Sequence, residues 1–229
     1  MTRYGRRTAI ASGLGLILGA TVTRLVAGSP DGIDPEKGVT APEDLMKEHG
    51  VLNRCLLIYE EAVRRLQEKQ EVAAEVFSST AELVKKFVEE YHEKNEETFI
   101  FPKFEQAKKE VDLVHTLLEQ HRAGRVVTGE IIQLSRPAAF GSRDNRERLI
   151  AGCHSFIRMY RPHEAREDTV LFPALRTILT PKKVEELGDR MEEQEQMILG
   201  KEGFEKSLEQ VTEIEKKLGI YDLARFTPR

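Results

Sequence analysis

From residue 42 onward, long amphipathic stretches alternate with short breaks, and apolar residues recur at intervals of three and four. That period predicts helices over 42–70, 72–101, 109–135 and 144–176, then two shorter ones over 181–199 and 203–218. In the first, Leu45, His49, Leu52, Leu56, Tyr59, Val63 and Leu66 share one stripe. The second aligns Val84, Val88, His92, Glu96 and Phe99, and the third Val114, Leu117, Leu118, His121, Thr128 and Ile132. The fourth aligns Ile150, Cys153, Ile157, Tyr160, His163, Glu167, Val170 and Ala174. Thr40, followed by Pro42, Glu43 and Asp44, reads as a helix start. Pro102 is placed to kink or end the second helix, and Pro162 to bend the fourth.

Each inward stripe carries residues that do not belong in an oily core. His92-x₃-Glu96 is followed by Phe101-Pro102, and the same pattern returns as His163-x₃-Glu167 with Phe172-Pro173. In a helix, positions i and i+4 share a face, so each pair offers an imidazole and a carboxylate to one point. His49 precedes the first pair, and His121 the second, by nearly equal intervals. Each half is therefore a helix bearing one His followed by a helix bearing His-x₃-Glu. Four His and two Glu suit iron-like ions and are poor for magnesium or calcium. Their distribution over four helices places the site inside a bundle.

A single His on an apolar stripe is usually an ordinary core residue. Buried carboxylates are costlier and need a partner or a metal. A His–Glu hydrogen bond at i,i+4 would satisfy each pair without any ion, but it leaves the matched positions of His49 and His121 unexplained. His115 and His154 fall off the stripes and stay outside the set. Pro102 and Pro173 read as structural.

Composition narrows the class further. The 229 residues contain no Trp, and 32% are charged, which fits a helical soluble domain. A net charge of −4, with both signs interleaved along the helices, gives no footprint for nucleic acid. Cys55 and Cys153 form no CxxC pair; buried thiols are the simpler reading, with a disulfide between them left open. No phosphate loop, nucleophile elbow or His-Glu-x-x-His motif occurs. Arg3, Arg6 and Arg7 precede a Gly-rich, weakly apolar run over 9–23, too short to span a bilayer comfortably. Arg6-Arg7 resembles a twin-arginine export signal, although Thr-Ala-Ile follows it rather than the fuller motif. The expected organisation is an export signal or N-terminal anchor over 1–27, a linker over 28–41, a metal-binding bundle over 42–177 and a helical extension over 178–229. The extension would pack on the bundle or on another subunit. Export to the periplasm or the exterior is expected, with membrane contact only through 1–27.

The order His49, His92-x₃-Glu96, His121, His163-x₃-Glu167, with Phe-Pro after each pair, resembles the hemerythrin-like, or HHE cation-binding, family over about 42–177. The export-like start and the extension resemble secreted bacterial members. That resemblance implies an all-α, up-down, left-handed four-helix bundle holding two non-haem Fe ions. His49, His92, His121 and His163 would be terminal ligands, and Glu96 and Glu167 would bridge. The oxygen-carrying members use a fifth His on the third helix; here the positions four residues either side of His121 are Leu117 and Arg125. Tyr160, one turn before His163, is either core packing, a donor behind the ligands or a ligand. The leading expectation is binding or sensing of O₂ or a related small diatomic. One alternative is an oxidoreductase consuming peroxide or nitric oxide. A second is a metal-free or zinc-bound helical interaction module.

Overall fold

A computed structural model describes residues 39–228. The expected export signal and most of the expected linker lie outside the described residues. Helix α1 spans Ala41–Gln67, with Thr40 at its N-cap. Glu43 Oε2 accepts from the Thr40 backbone N–H at 3.0 Å and from its hydroxyl at 2.9 Å. Helix α2 is continuous over 74–107 but changes pitch along its length. It is α-helical over Ala74–Leu83, widens into π turns over Val84–His92, returns to α for Glu93–Asn95, widens again over Glu96–Ile100 and closes as α over Phe101–Ala107. Helix α3 covers Val111–Leu134. After a short turn at Pro137–Phe140, α4 runs over 143–178 as Arg143–Arg166, a π stretch Glu167–Leu171, and Phe172–Ile178. Helices α5, Pro181–Ile198, and α6, Gly203–Leu218, complete the chain before a final turn. Among the described residues there is no strand.

The short connections make consecutive helices antiparallel neighbours, giving the expected bundle. Some expected boundaries move. Helix α1 stops at Gln67 rather than 70, because Lys69 turns left-handed (φ 59°) and the Gln70 N–H closes onto the Arg65 carbonyl at 2.8 Å. Pro102 does not end α2. The Phe101 N–H reaches back five residues to Glu96 O, and Pro102 then occupies the first turn of the next α segment, where its missing N–H does no harm. The second copy repeats this, with Phe172 N–H on Glu167 O ahead of Pro173. Pro162 lies inside α4, which continues through it.

A π turn inserts one residue and rotates the downstream side chains by roughly 100° relative to an unbroken α-helix. Beyond Glu167, the inward position therefore belongs to Leu171, fully buried, rather than to the expected Val170, which is half-buried. On α3 and the start of α4 the stripe is also one residue off: Ile131 and Leu149 are buried, and Ile132 and Ile150 flank them.

The core forms two apolar bodies. The larger gathers Leu52–Val63 of α1, Phe77–Tyr91 of α2, Ile131, Leu149–Tyr160 and the inner face of α6. The smaller gathers Leu45, Phe99–Phe104, Val114, Leu117, Leu171, Phe172 and Leu175, with Leu187 and Met191 of α5. Between them lies a belt of polar side chains, and the sequence-predicted site is in that belt. The extension packs on the bundle, α6 against α1 and α2, and α5 against the same pair. Arg54 of α1 clamps Glu215 of α6 through Nε–Oε1 at 2.9 Å and Nη2–Oε2 at 2.5 Å, and donates to Thr212 at 2.7 Å. The Phe204 ring packs tilted against Phe87, with Lys47 Nζ 3.9 Å from its centre. Cys55 and Cys153 are free, buried thiols. No helix among the described residues is long and apolar enough to cross a membrane.

Candidate metal centre

All six predicted side chains converge. Each is buried, Glu96, Glu167 and His121 completely. They form two groups close enough to hold an ion each: His49, His92 and Glu96, and His121, His163 and Glu167. The imidazole centres are 4.8 Å apart in the first pair and 5.0 Å in the second. The carboxylates tie the groups together. Glu167 Oε2 lies 3.2 Å from His163 Nε2 and 3.3 Å from His49 Nε2. Glu96 Oε2 lies 3.6 Å from His92 Nε2 and 3.5 Å from His121 Nε2. Each Glu thus stands between imidazoles of both groups.

The outer nitrogen of every ring is held. His49 Nδ1 meets Asp168 Oδ1 at 2.8 Å and His92 Nδ1 meets Glu48 Oε2 at 2.7 Å. His121 Nδ1 meets Glu97 Oε1 at 3.2 Å and His163 Nδ1 meets Gln120 Oε1 at 2.9 Å. These oxygens hold Nδ1 as the donor and turn Nε2 inward, the usual orientation for a metal-binding His. Sequence reasoning missed all four partners. Their signal was present in duplicate: an acid or amide directly before His49 and His121, and an acid directly after Glu96 and Glu167.

The donor set fits a cation. Both oxygens of Glu96 and of Glu167, and Nε2 of His49, are buried without a hydrogen-bond partner. His121 and His163 face each other Nε2 to Nε2 at 3.3 Å, with the Nδ1 of each already held on the far side. Lone pairs and carboxylates packed this way repel unless a positive charge sits among them. Protein charges alone leave the site divided. Burial, then Glu167, pushes Glu96 well above the usual carboxylate range. Burial lowers His92 to about 3 and His121 to about 4, keeping both rings neutral donors. Burial also opposes charge on His49, but Asp168 and Glu167 outweigh it and raise that ring to about 10.

Phe101 stacks on His121 at 5.5 Å and Phe172 on His49 at 5.6 Å, so each Phe-Pro element caps an imidazole of the other half. Below His163, the Tyr160 hydroxyl donates to Glu93 Oε1 at 2.5 Å. Tyr160 fits there because α3 has Gly124 opposite: a Cβ on Gly124 would lie 2.2 Å from the hydroxyl. Burial lifts Glu93 to about 8, with Tyr160 and Arg125 opposing. Arg125 Nη2 bridges Glu93 Oε2 and Glu97 Oε1 at 2.7 Å each. Neither position four residues from His121 supplies a fifth nitrogen ligand: Leu117 belongs to the smaller apolar body, and Arg125 is committed to these two acids. His115 and His154 are exposed.

Comparison with known proteins agrees with this centre. The family model of the hemerythrin HHE cation-binding domain matches residues 40–175. Uncharacterized proteins of Mycobacterium bovis and Mycobacterium tuberculosis are 44% identical over 202 residues, covering 88% of this chain and 79% of theirs. No solved structure matches the chain.

Proposed function

Because the chain belongs to the hemerythrin HHE cation-binding family, we propose that its metal centre is a non-haem di-iron site that binds or senses O₂ or a related small diatomic. His49, His92, His121 and His163 would be terminal ligands, and Glu96 and Glu167 would bridge. The observation that carries this reading is the placement of each carboxylate within 3.2–3.6 Å of imidazoles from both groups. A metal-free hairpin pair needs no such cross-placement; two neighbouring ions do. When bound, two ferrous ions supply the electrons that let a diatomic ligand be held and released.

The remaining work belongs to the chain. The Nδ1 partners lock each ring's tautomer and direction. Phe101 and Phe172 cover the imidazoles, and the apolar bodies above and below keep bulk water from the pocket. Water exclusion favours uncharged diatomics over charged competitors. Four nitrogens and two carboxylates would leave two ions short of a full ligand set, with positions open to a small ligand.

A second reading, an oxidoreductase consuming peroxide or nitric oxide, is favoured by the missing fifth imidazole, which leaves one more open position than in the oxygen carriers. A third, a metal-free or zinc-bound interaction module, is the outcome to exclude. The experiment is expression with iron, metal analysis and near-ultraviolet spectra before and after reduction and O₂ exposure. About two irons per chain and a band that reduction bleaches support the di-iron reading, and turnover of added peroxide then selects the enzyme. A folded helical protein without iron and without the band overturns the di-iron reading.

A further inference from the structure

The oxygens behind the four imidazoles are not equivalent, and the inequality runs between the two groups. Behind His49 and His92 stand two carboxylates, Asp168 and Glu48, at 2.8 and 2.7 Å. The second oxygen of Glu48 accepts from the Tyr91 hydroxyl at 2.5 Å. Among the described residues, neither acid is in a salt bridge with Lys or Arg. Behind His121 stands Glu97, at a longer 3.2 Å and already neutralised by Arg125 at 2.7 Å. Behind His163 stands Gln120, at 2.9 Å, which is uncharged. The two-fold repeat of the sequence is therefore broken where Glu48 in one half corresponds to Gln120 in the other.

The difference acts on a bound cation in two ways. An imidazole whose Nδ1–H is given to a carboxylate is a more basic donor at Nε2 than one whose proton is given to an amide. The Glu48 carboxylate is buried and acts on a cation with little screening, while Asp168, its side chain 35% exposed, acts more weakly. Both effects favour the same group. Resting on the metal reading above, we propose that the two metal positions are unequal. The one at His49 and His92 is the tight position and takes the more highly charged ion, set by Glu48 and Asp168. The one at His121 and His163 is the weak position, because Gln120 replaces the acid and Arg125 cancels Glu97. Glu48 and Gln120 act here as positioning residues, through the rings they hold.

The test is titration of the metal-stripped full chain with Co(II), followed by visible absorption and by competition with a chromogenic chelator. Wild type should bind two ions in phases at least about ten-fold apart, the range over which partners behind metal ligands act. Glu48→Gln should weaken the first phase about ten-fold and spare the second; Gln120→Glu should tighten the second and spare the first. Both exchanges keep side-chain shape, and far-ultraviolet dichroism checks the helices. His163→Ala should retain the tight ion and His92→Ala only the weak one. Two equal phases, or exchanges that move both phases together, overturn the inequality and leave the metal reading standing. Failure to bind Co(II) at all overturns both.

Discussion

His121 and His163 come from opposite sides of the second half-site, yet their Nε2 atoms stand 3.3 Å apart with the outer nitrogens tied to Glu97 and Gln120. That pair can close on one cation, with the Glu167 carboxylate beside it to supply negative charge. Removing metal should therefore lower stability as well as abolish the site. At a free metal concentration one hundred times Kd, binding adds about 2.7 kcal/mol. Thermal unfolding before and after chelation should show a clear drop in Tm; an unchanged Tm would count against a cation at this place.

Gly124 and Tyr160 make a second test. With the Tyr160 hydroxyl 2.2 Å from where a Cβ would stand, Gly124→Ala must push the ring off Glu93. Overpacking of this kind costs about 1–3 kcal/mol. Tyr160→Phe removes the nearest clashing atom, so the double variant should lose less than the sum of the singles. Urea unfolding of all four proteins in the cycle gives the coupling, and strict additivity would rule out the contact.

Arg54 binds the extension to the bundle through a two-pronged contact that Lys cannot copy. Arg54→Ala leaves the buried Glu215 carboxylate alone. Because the Arg54 side chain is itself 26% exposed, the loss should be about 2 kcal/mol, below the range for a fully buried pair. Arg54→Lys should recover only part of it. Limited proteolysis should then cut between α5 and α6 faster than in wild type, and equal cutting rates would argue that the clamp is not what holds α6.

Burial pushes the Cys55 thiol up to about 12, and raises Cys153 as well. A thiol with a raised pKa stays protonated across pH 5–9 and is a poor nucleophile. Native protein should resist iodoacetamide at pH 8, and both thiols should react once it is unfolded without reductant. A single reactive thiol, or none, after unfolding would instead reveal a blocked or bridged pair.

The six converging side chains are legible in the sequence because the i,i+4 spacing and its repetition are geometric facts that survive small errors in helix boundaries. Their supports are not. Glu48, Glu97, Gln120 and Asp168 look like ordinary charged or polar surface positions on a helix, and only adjacency to the ligands in both copies marks them. The π turns are hidden for another reason. A 3.6-residue period assumes uniform pitch, so it points to Val170 instead of Leu171 beyond Glu167, and it makes Pro102 a stop or kink in a helix that continues to Ala107. The extension is recognisable as two amphipathic helices, but its resting place is not, since Arg54 and Glu215 are far apart along the chain.

The crossing of supports between halves has a consequence for how such a site can be built. His49 is held by Asp168 of the second half, and His121 by Glu97 of the first, while His92 and His163 are held from within their own halves. Neither hairpin can orient all its rings alone, yet one hairpin facing a second copy of itself would satisfy every contact by exchange, residue for residue. The bundle is in effect a two-fold dimer joined into a single chain. Once joined, its halves are free to differ, as they do at Glu48 and Gln120, which no symmetric pair of identical hairpins could.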